Sequence, residues 1–137
     1  MRKEIVMKGF VIMFIISAMT LTGCNNSVNN IDVNKTEYIR ISAEEAKTII
    51  DSEDVIILDV RTQEEFDSGH IENAVLLPVT EITDNADGVL PDKDAKILVY
   101  CRSGNRSATA ARELIRMGYT NVYDFGGINT WPYETVK

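Results

Sequence analysis

The sequence predicts an α/β fold, a three-layer arrangement in which a mostly parallel sheet carries helices on both faces. Two observations carry this. The runs Val55-Ile56-Ile57-Leu58 and Ile97-Leu98-Val99-Tyr100 are continuously apolar, as expected of strands buried on both faces. Helical patterns alternate with the strand candidates along the chain, which is the order of βαβ units.

The elements follow in order. Tyr38-Ile39-Arg40-Ile41 alternates and predicts an edge strand. Ser42-Ala43-Glu44-Glu45 is a capping box, after which Ala46, Ile49 and Ile50 share one helical face. The apolar run at Val55 to Leu58 is the second strand. Thr62-Gln63-Glu64-Glu65 is a second capping box and opens a short helix with Phe66 turned inward. Ala74-Val75-Leu76-Leu77 predicts a third strand, closed by Pro78. Glu81 to Asp87 is polar and carries no clear period. Pro91 to Asp94 is a turn before the strand Lys96 to Tyr100. A helix over Ala108 to Met117, with its start near Ser107, places Ala111, Leu114 and Ile115 at helical spacing, and Gly118 suits its end. Asn121 to Phe125 is the fifth strand. Gly126-Gly127 then turns into a short helix through Trp131, stopped by Pro132.

The first 36 residues read differently. Arg2, Lys3 and Lys8 make a basic start, and Phe10 to Leu21 is mostly apolar but shorter than the ~20 residues a membrane span needs. This predicts an export signal over residues 1–23. Leu21-Thr22-Gly23-Cys24 resembles the bacterial lipobox, and the resemblance implies that Cys24 becomes the lipid-bearing first residue of the mature chain. Residues 24–36 are polar and aperiodic and predict a tether. The protein is thus expected to be lipid-anchored to a bacterial membrane, on its extracytoplasmic side.

Removing residues 1–23 leaves 114 residues and moves the net charge from −7 to −9, with 11 Lys plus Arg against 20 Asp plus Glu. Such an acidic chain is a poor partner for nucleic acid or for anionic lipid headgroups. The chain has two cysteines, Cys24 and Cys101. With Cys24 given to lipid, Cys101 has no partner for a disulfide, although exported proteins usually pair their cysteines. An isolated thiol followed by Arg102 and Arg106 reads as reactive rather than structural.

Cys101-Arg102-Ser103-Gly104-Asn105-Arg106-Ser107 lies between the fourth strand and the following helix. Ligands in open α/β sheets sit outside the carboxyl ends of strands, where Cys101 and Asp59 both fall. Gly104 allows a tight curl whose successive N–H groups face inward as an anion-binding nest. The helix adds its positive end, so the thiolate of Cys101 is favoured and needs no general base. Arg102 and Arg106 supply charge and bidentate donors for an anionic substrate, Arg106 as the more directional. Asp59 and Arg61 are expected to pair and shape the strand end beside the cysteine. His70 reads as structural and Trp131 as packing. No cysteine pair or histidine cluster suggests a metal site, and no cofactor is implied.

The Cys101–Ser107 run resembles the active-site loop of single-domain rhodaneses, the thiosulfate sulfurtransferases. Leu58-Asp59-Val60-Arg61 through Glu65-Phe66 to Gly69-His70-Ile71 and Asn73-Ala74, and Gly126-Gly127-Ile128 with Trp131, are similar to that family's other signatures. The resemblance implies a rhodanese domain over residues 37–137 with a five-stranded sheet. It implies a ping-pong reaction in which Cys101 takes sulfane sulfur as a persulfide and passes it to a thiophilic acceptor. A small sulfur-donor anion and a thiol or cyanide-like acceptor, a protein thiol included, are the implied partners. Four residues separate Cys101 from Arg106. The similar phosphatase and arsenate-reductase loops have five, so the tighter loop argues for a sulfur-sized substituent over phosphate. A non-enzymatic docking or regulatory module, or a protein persulfide carrier, is the alternative reading. The short run from Trp131 to Lys137 departs from the longer finish that the resemblance implies.

Overall fold

The computed structural model describes residues 37–137. The readings for the signal segment, Cys24 and the tether fall outside the described residues.

Five strands form one sheet in the order β1-β5-β4-β2-β3, and every pairing is parallel. The strands are β1 (Ile39–Arg40), β2 (Ile56–Asp59), β3 (Val75–Leu76), β4 (Ile97–Cys101) and β5 (Val122–Gly127). The helices are α1 (Ala43–Ser52), α2 (Gln63–Ser68), α3 (Ile82–Val89) and α4 (Asn105–Arg116). β4 is central and all five of its residues are buried. Its alternation divides the core. Ile97, Val99 and Cys101 face one cluster with Ala110, Ala111, Leu114, Ile82 and Ala86 of α4 and α3. Leu98 and Tyr100 face the other, with Ala46 of α1, Phe125 and Trp131. A strand buried on both faces must read as a continuous apolar run, which is why β4 was evident in the sequence.

Both capping boxes form. Ser42 and Thr62 each accept from the backbone N–H three residues on, and Glu45 and Glu65 reach back to the cap amides. α2 buries none of its residues, and Phe66 is half-buried rather than inward, its ring stacked on His70 at 3.7 Å. The stretch without a clear period is helical: a short 3-10 turn at Val79–Glu81 runs into α3, which packs through Ile82 and Ala86. α4 starts at Asn105, earlier than the expected start near Ser107, because Gly104 at φ +104° ends the curl at once. It ends as expected at Gly118, φ +93°, where the Gly118 and Tyr119 amides reach back to Ile115 and Leu114.

The chain after Trp131 returns to the end of α2. Val136 and His70 exchange two backbone hydrogen bonds of 2.8 Å each, an antiparallel bridge beside an otherwise parallel sheet. The bridge ties the chain after Trp131 to the segment that follows α2.

Candidate active site

Cys101 is the last residue of β4, and only 1% of it is exposed. Its Sγ accepts from the amide of Gly104 at 3.0 Å. Burial alone pushes the thiol up. The amides of Ser107, Gly104 and Ser103 and the Ser107 hydroxyl outweigh it, so the thiol lies below its ordinary value. The cradle is therefore made of backbone N–H groups aimed at the sulfur, with the α4 N-terminus behind them. Ser107 is fully buried, and its hydroxyl sits 3.1 Å from the Gly104 carbonyl and 3.2 Å from that of Gly126, fastening the loop to β5.

β5 supports the loop from below. The β4–β5 register shifts between Val99 and Cys101, which pair with Asp124 and Gly127, so β5 carries one extra residue there. Gly126 takes φ +88° in this bulge. The bulge brings Gly127 under the Arg102 carbonyl, which then accepts from the Asn129 amide at 3.2 Å. A Cβ on Gly127 would lie 2.2 Å from that carbonyl oxygen, and only backbone movement could relieve it. Gly127→Ala is expected to displace the loop, to destabilise the domain by about 1–3 kcal/mol in urea unfolding, and to slow alkylation of Cys101. A normal alkylation rate in a folded Gly127→Ala protein would show that the close approach is dispensable.

The two loop arginines are placed differently. Arg102 is exposed and makes no ion pair among the described residues. Arg106 is half-buried and grips Glu65 of α2 with two bonds, 2.6 and 2.8 Å. Sequence reasoning made Arg106 the more directional substrate contact. Its guanidinium instead faces a carboxylate, because starting α4 at Asn105 puts Arg106 in the first helical turn beside α2. It stays close enough to Cys101 for the two charges to favour one another. Glu65 is held down at about 2, chiefly by its bonds from Arg106. Glu65 was legible only as a capping residue, since nothing local marks a partner 41 positions away. Ser103 and Asn105 are exposed at the rim.

Asp59 and Arg61 pair as expected. Both are buried. Arg61 Nε lies 3.0 Å from each Asp59 oxygen, and Nη2 reaches Oδ2 at 2.6 Å and the Gly69 carbonyl at 2.8 Å. The guanidinium lies over the Tyr100 ring, 5.6 Å from its centroid. Tyr100 is the residue before Cys101; burial, then Asp59, raises its phenol, and its oxygen accepts from the Ile71 amide at 3.1 Å. The His70 Nδ1–H donates to the Phe66 carbonyl at 3.0 Å, a structural role. Trp131 packs on Phe125 and edge-on against Tyr133. Among the described residues, no group of three or more His, Cys, Asp or Glu side chains is placed to hold a metal ion.

Fold and loop together define an α/β domain with a cysteine sulfur held in an amide cradle at a strand-to-helix switch. The rhodanese-like domain family matches residues 42–133, and the chain belongs to that family. It is 35% identical over 95 residues to the thiosulfate sulfurtransferase GlpE of Coxiella burnetii, covering 69% of this chain and 87% of that one. To the thiosulfate sulfurtransferase PspE of Escherichia coli K12 it is 34% identical over 80 residues, covering 58% and 77%. The crystal structure of a rhodanese-related protein from Thermoplasma volcanium superposes with a TM-score of 0.64 at 33% identity, covering 72% of this chain and 98% of that one.

Proposed function

We propose that this protein moves sulfane sulfur from a small anionic donor such as thiosulfate to a thiophilic acceptor through a persulfide on Cys101. The observation that carries the reading is the Cys101 sulfur in its amide cradle, with the thiol held below its ordinary value. The thiolate attacks the sulfane sulfur of thiosulfate. A Cys101 S–S bond forms, the donor's S–S bond breaks, and sulfite leaves with the electron pair. The acceptor then attacks the outer sulfur and Cys101 leaves as thiolate. Amides that favour the thiolate also favour the outer persulfide sulfur. Arg102, free of any ion pair among the described residues, draws the donor in against the acidic surface. Arg106 adds positive charge while holding α4 to α2. The narrow exposure of Cys101 suits a single sulfur atom better than a tetrahedral phosphate. The lipobox-like run ending at Cys24 supports a lipid-anchored, extracytoplasmic setting.

The test is thiocyanate formation from thiosulfate and cyanide by the full chain, followed as its iron(III) complex. Turnover is expected. A folded, reduced protein that forms no thiocyanate would overturn the thiosulfate reading.

A further inference from the structure

A cavity of about 300 Å³ opens beside the catalytic loop, on its β1 side. Ser103, Gly104 and Asn105 form one wall, and Gly104 is the residue whose amide touches the Cys101 sulfur. Arg40, Asp124 and Gly126 line the rest of the part that matters here. The two charges are set at different depths. The Asp124 side chain is 3% exposed, whereas that of Arg40 is 70% exposed at the rim. One Asp124 oxygen accepts from the Gly126 amide at 3.0 Å. The nearest cationic nitrogen to the other is Arg40 Nε at 3.9 Å, beyond hydrogen-bond distance. A carboxylate oxygen that borders a cavity, on a side chain otherwise buried and with no close donor among the described residues, is an open place for one.

We propose that this cavity is the acceptor subsite and that it takes a free amino-acid thiol of the cysteine type. The inference rests on the sulfur-transfer reading above and specifies its acceptor. A deep negative charge and a rim positive charge fit an α-ammonium placed inward on Asp124 and an α-carboxylate placed outward on Arg40. The side chain is then left facing the wall of Ser103 to Asn105. A peptide cysteine, with neither charge, lacks both contacts. Binding costs little, because the Arg40–Asp124 contact it replaces is long and its cation is solvated. In the transfer, the acceptor thiolate attacks the outer sulfur of the Cys101 persulfide. A new S–S bond forms, the Cys101 S–S bond breaks, and Cys101 leaves as thiolate. The transferred sulfur becomes the outer sulfur of the acceptor's persulfide at the same oxidation level, and the bonding pair leaves with Cys101, so the step is redox-neutral.

The experiment uses the full chain loaded with thiosulfate and three acceptors: L-cysteine, N-acetylcysteine amide and cyanide. L-Cysteine is expected to outcompete the uncharged amide by about tenfold or more in kcat/KM, the size of one charge-assisted hydrogen bond. In Arg40→Ala and in the near-isosteric Asp124→Asn, the ratio of cysteine to cyanide transfer is expected to fall about tenfold. The ratio is internal to each variant, so a loss of folded protein does not imitate the result. S-methyl-L-cysteine, which cannot accept sulfur, gives a readout without turnover: it should shift the amide resonances of Ser103, Gly104 and Gly126, and not do so in Asp124→Asn. Equal transfer to cysteine and its uncharged amide, with no such shifts, would overturn the amino-acid site while transfer to cyanide stands. Shifts without any thiocyanate would instead support the site and overturn the sulfur-transfer reading.

Discussion

Changing Cys101 to serine is expected to lower thiocyanate formation by about 10³-fold or more while leaving the domain folded. A hydroxyl in the same place fills almost the same volume and can accept the same Gly104 amide, which lies 3.0 Å from Sγ. It cannot carry a sulfane sulfur, because an oxygen–sulfur linkage is not the leaving group that a thiolate is. Thermal unfolding of the variant and the assay on one preparation separate the two effects. The pH dependence is a sharper measurement on the unaltered protein. Burial raises the thiol, but the amides of Ser107, Gly104 and Ser103 carry it below its ordinary value. The reactive species is the deprotonated one. Alkylation by iodoacetamide should therefore rise with pH and level off below the ~8.5 of a free cysteine. Falling pH should switch it off through the lowered value. A midpoint at or above ~8.5 would mean that burial wins and the cradle does not activate the thiol.

Arg61→Ala is expected to be the most destabilising single change outside the loop, by about 3–5 kcal/mol. Removing the guanidinium strands the Asp59 carboxylate, which is 0% exposed and then keeps the Arg61 amide at 3.0 Å and the neighbouring Tyr100 phenol but no cation. It also leaves the Gly69 carbonyl without its donor and takes a cation off the Tyr100 ring. Against a total stability of about 5–15 kcal/mol this is a large share. Urea unfolding of Arg61→Ala beside Asp59→Leu/Arg61→Leu checks the cause. Removing both charges together should recover a good part of the loss, since the penalty belongs to the unpaired ion. A double variant as unstable as the single would assign the effect to packing. Neither side chain bonds to Cys101, so the variant's alkylation rate per folded molecule should stay near that of the parent.

Whatever depends on local spacing was legible in the sequence. Buried-strand runs, both capping boxes, the Gly118 helix end and the Asp59–Arg61 pair, two positions apart, are all short-range patterns. The loop was legible because a strand, a cysteine, a glycine and a helix follow one another without interruption. α3 was not, because Asp84, Asn85, Asp87 and Gly88 are poor helix formers. Its helicity comes from tertiary burial of Ile82 and Ala86 and from its anchored end, where the Tyr119 hydroxyl reaches the Leu90 carbonyl at 2.8 Å. The partner of Arg106, the approach of Gly127 to Arg102 and the Asp124–Arg40 cavity were also hidden. Each is made by segments far apart in the chain, and no period or motif encodes them.

The Glu65 carboxylate has roughly four acceptor positions, and four donors occupy it: the Thr62 amide and hydroxyl and both outer nitrogens of Arg106. Three of them converge on Oε2 and one on Oε1, so Oε1 keeps an acceptor position for water. α2 buries no side chain of its own, so it is stitched to the body of the protein by polar contacts rather than glued by apolar ones. Such a seam answers to the solvent in a way the core does not. Added salt screens it, since the pair is partly exposed. Acid unpicks it only late: its contribution is complete above the unfolded-chain value of ~4.3 and is lost as pH falls through about 2. The hold of α2 on the loop after Cys101 is thus expected to weaken with ionic strength across the physiological range, and with pH only in strong acid.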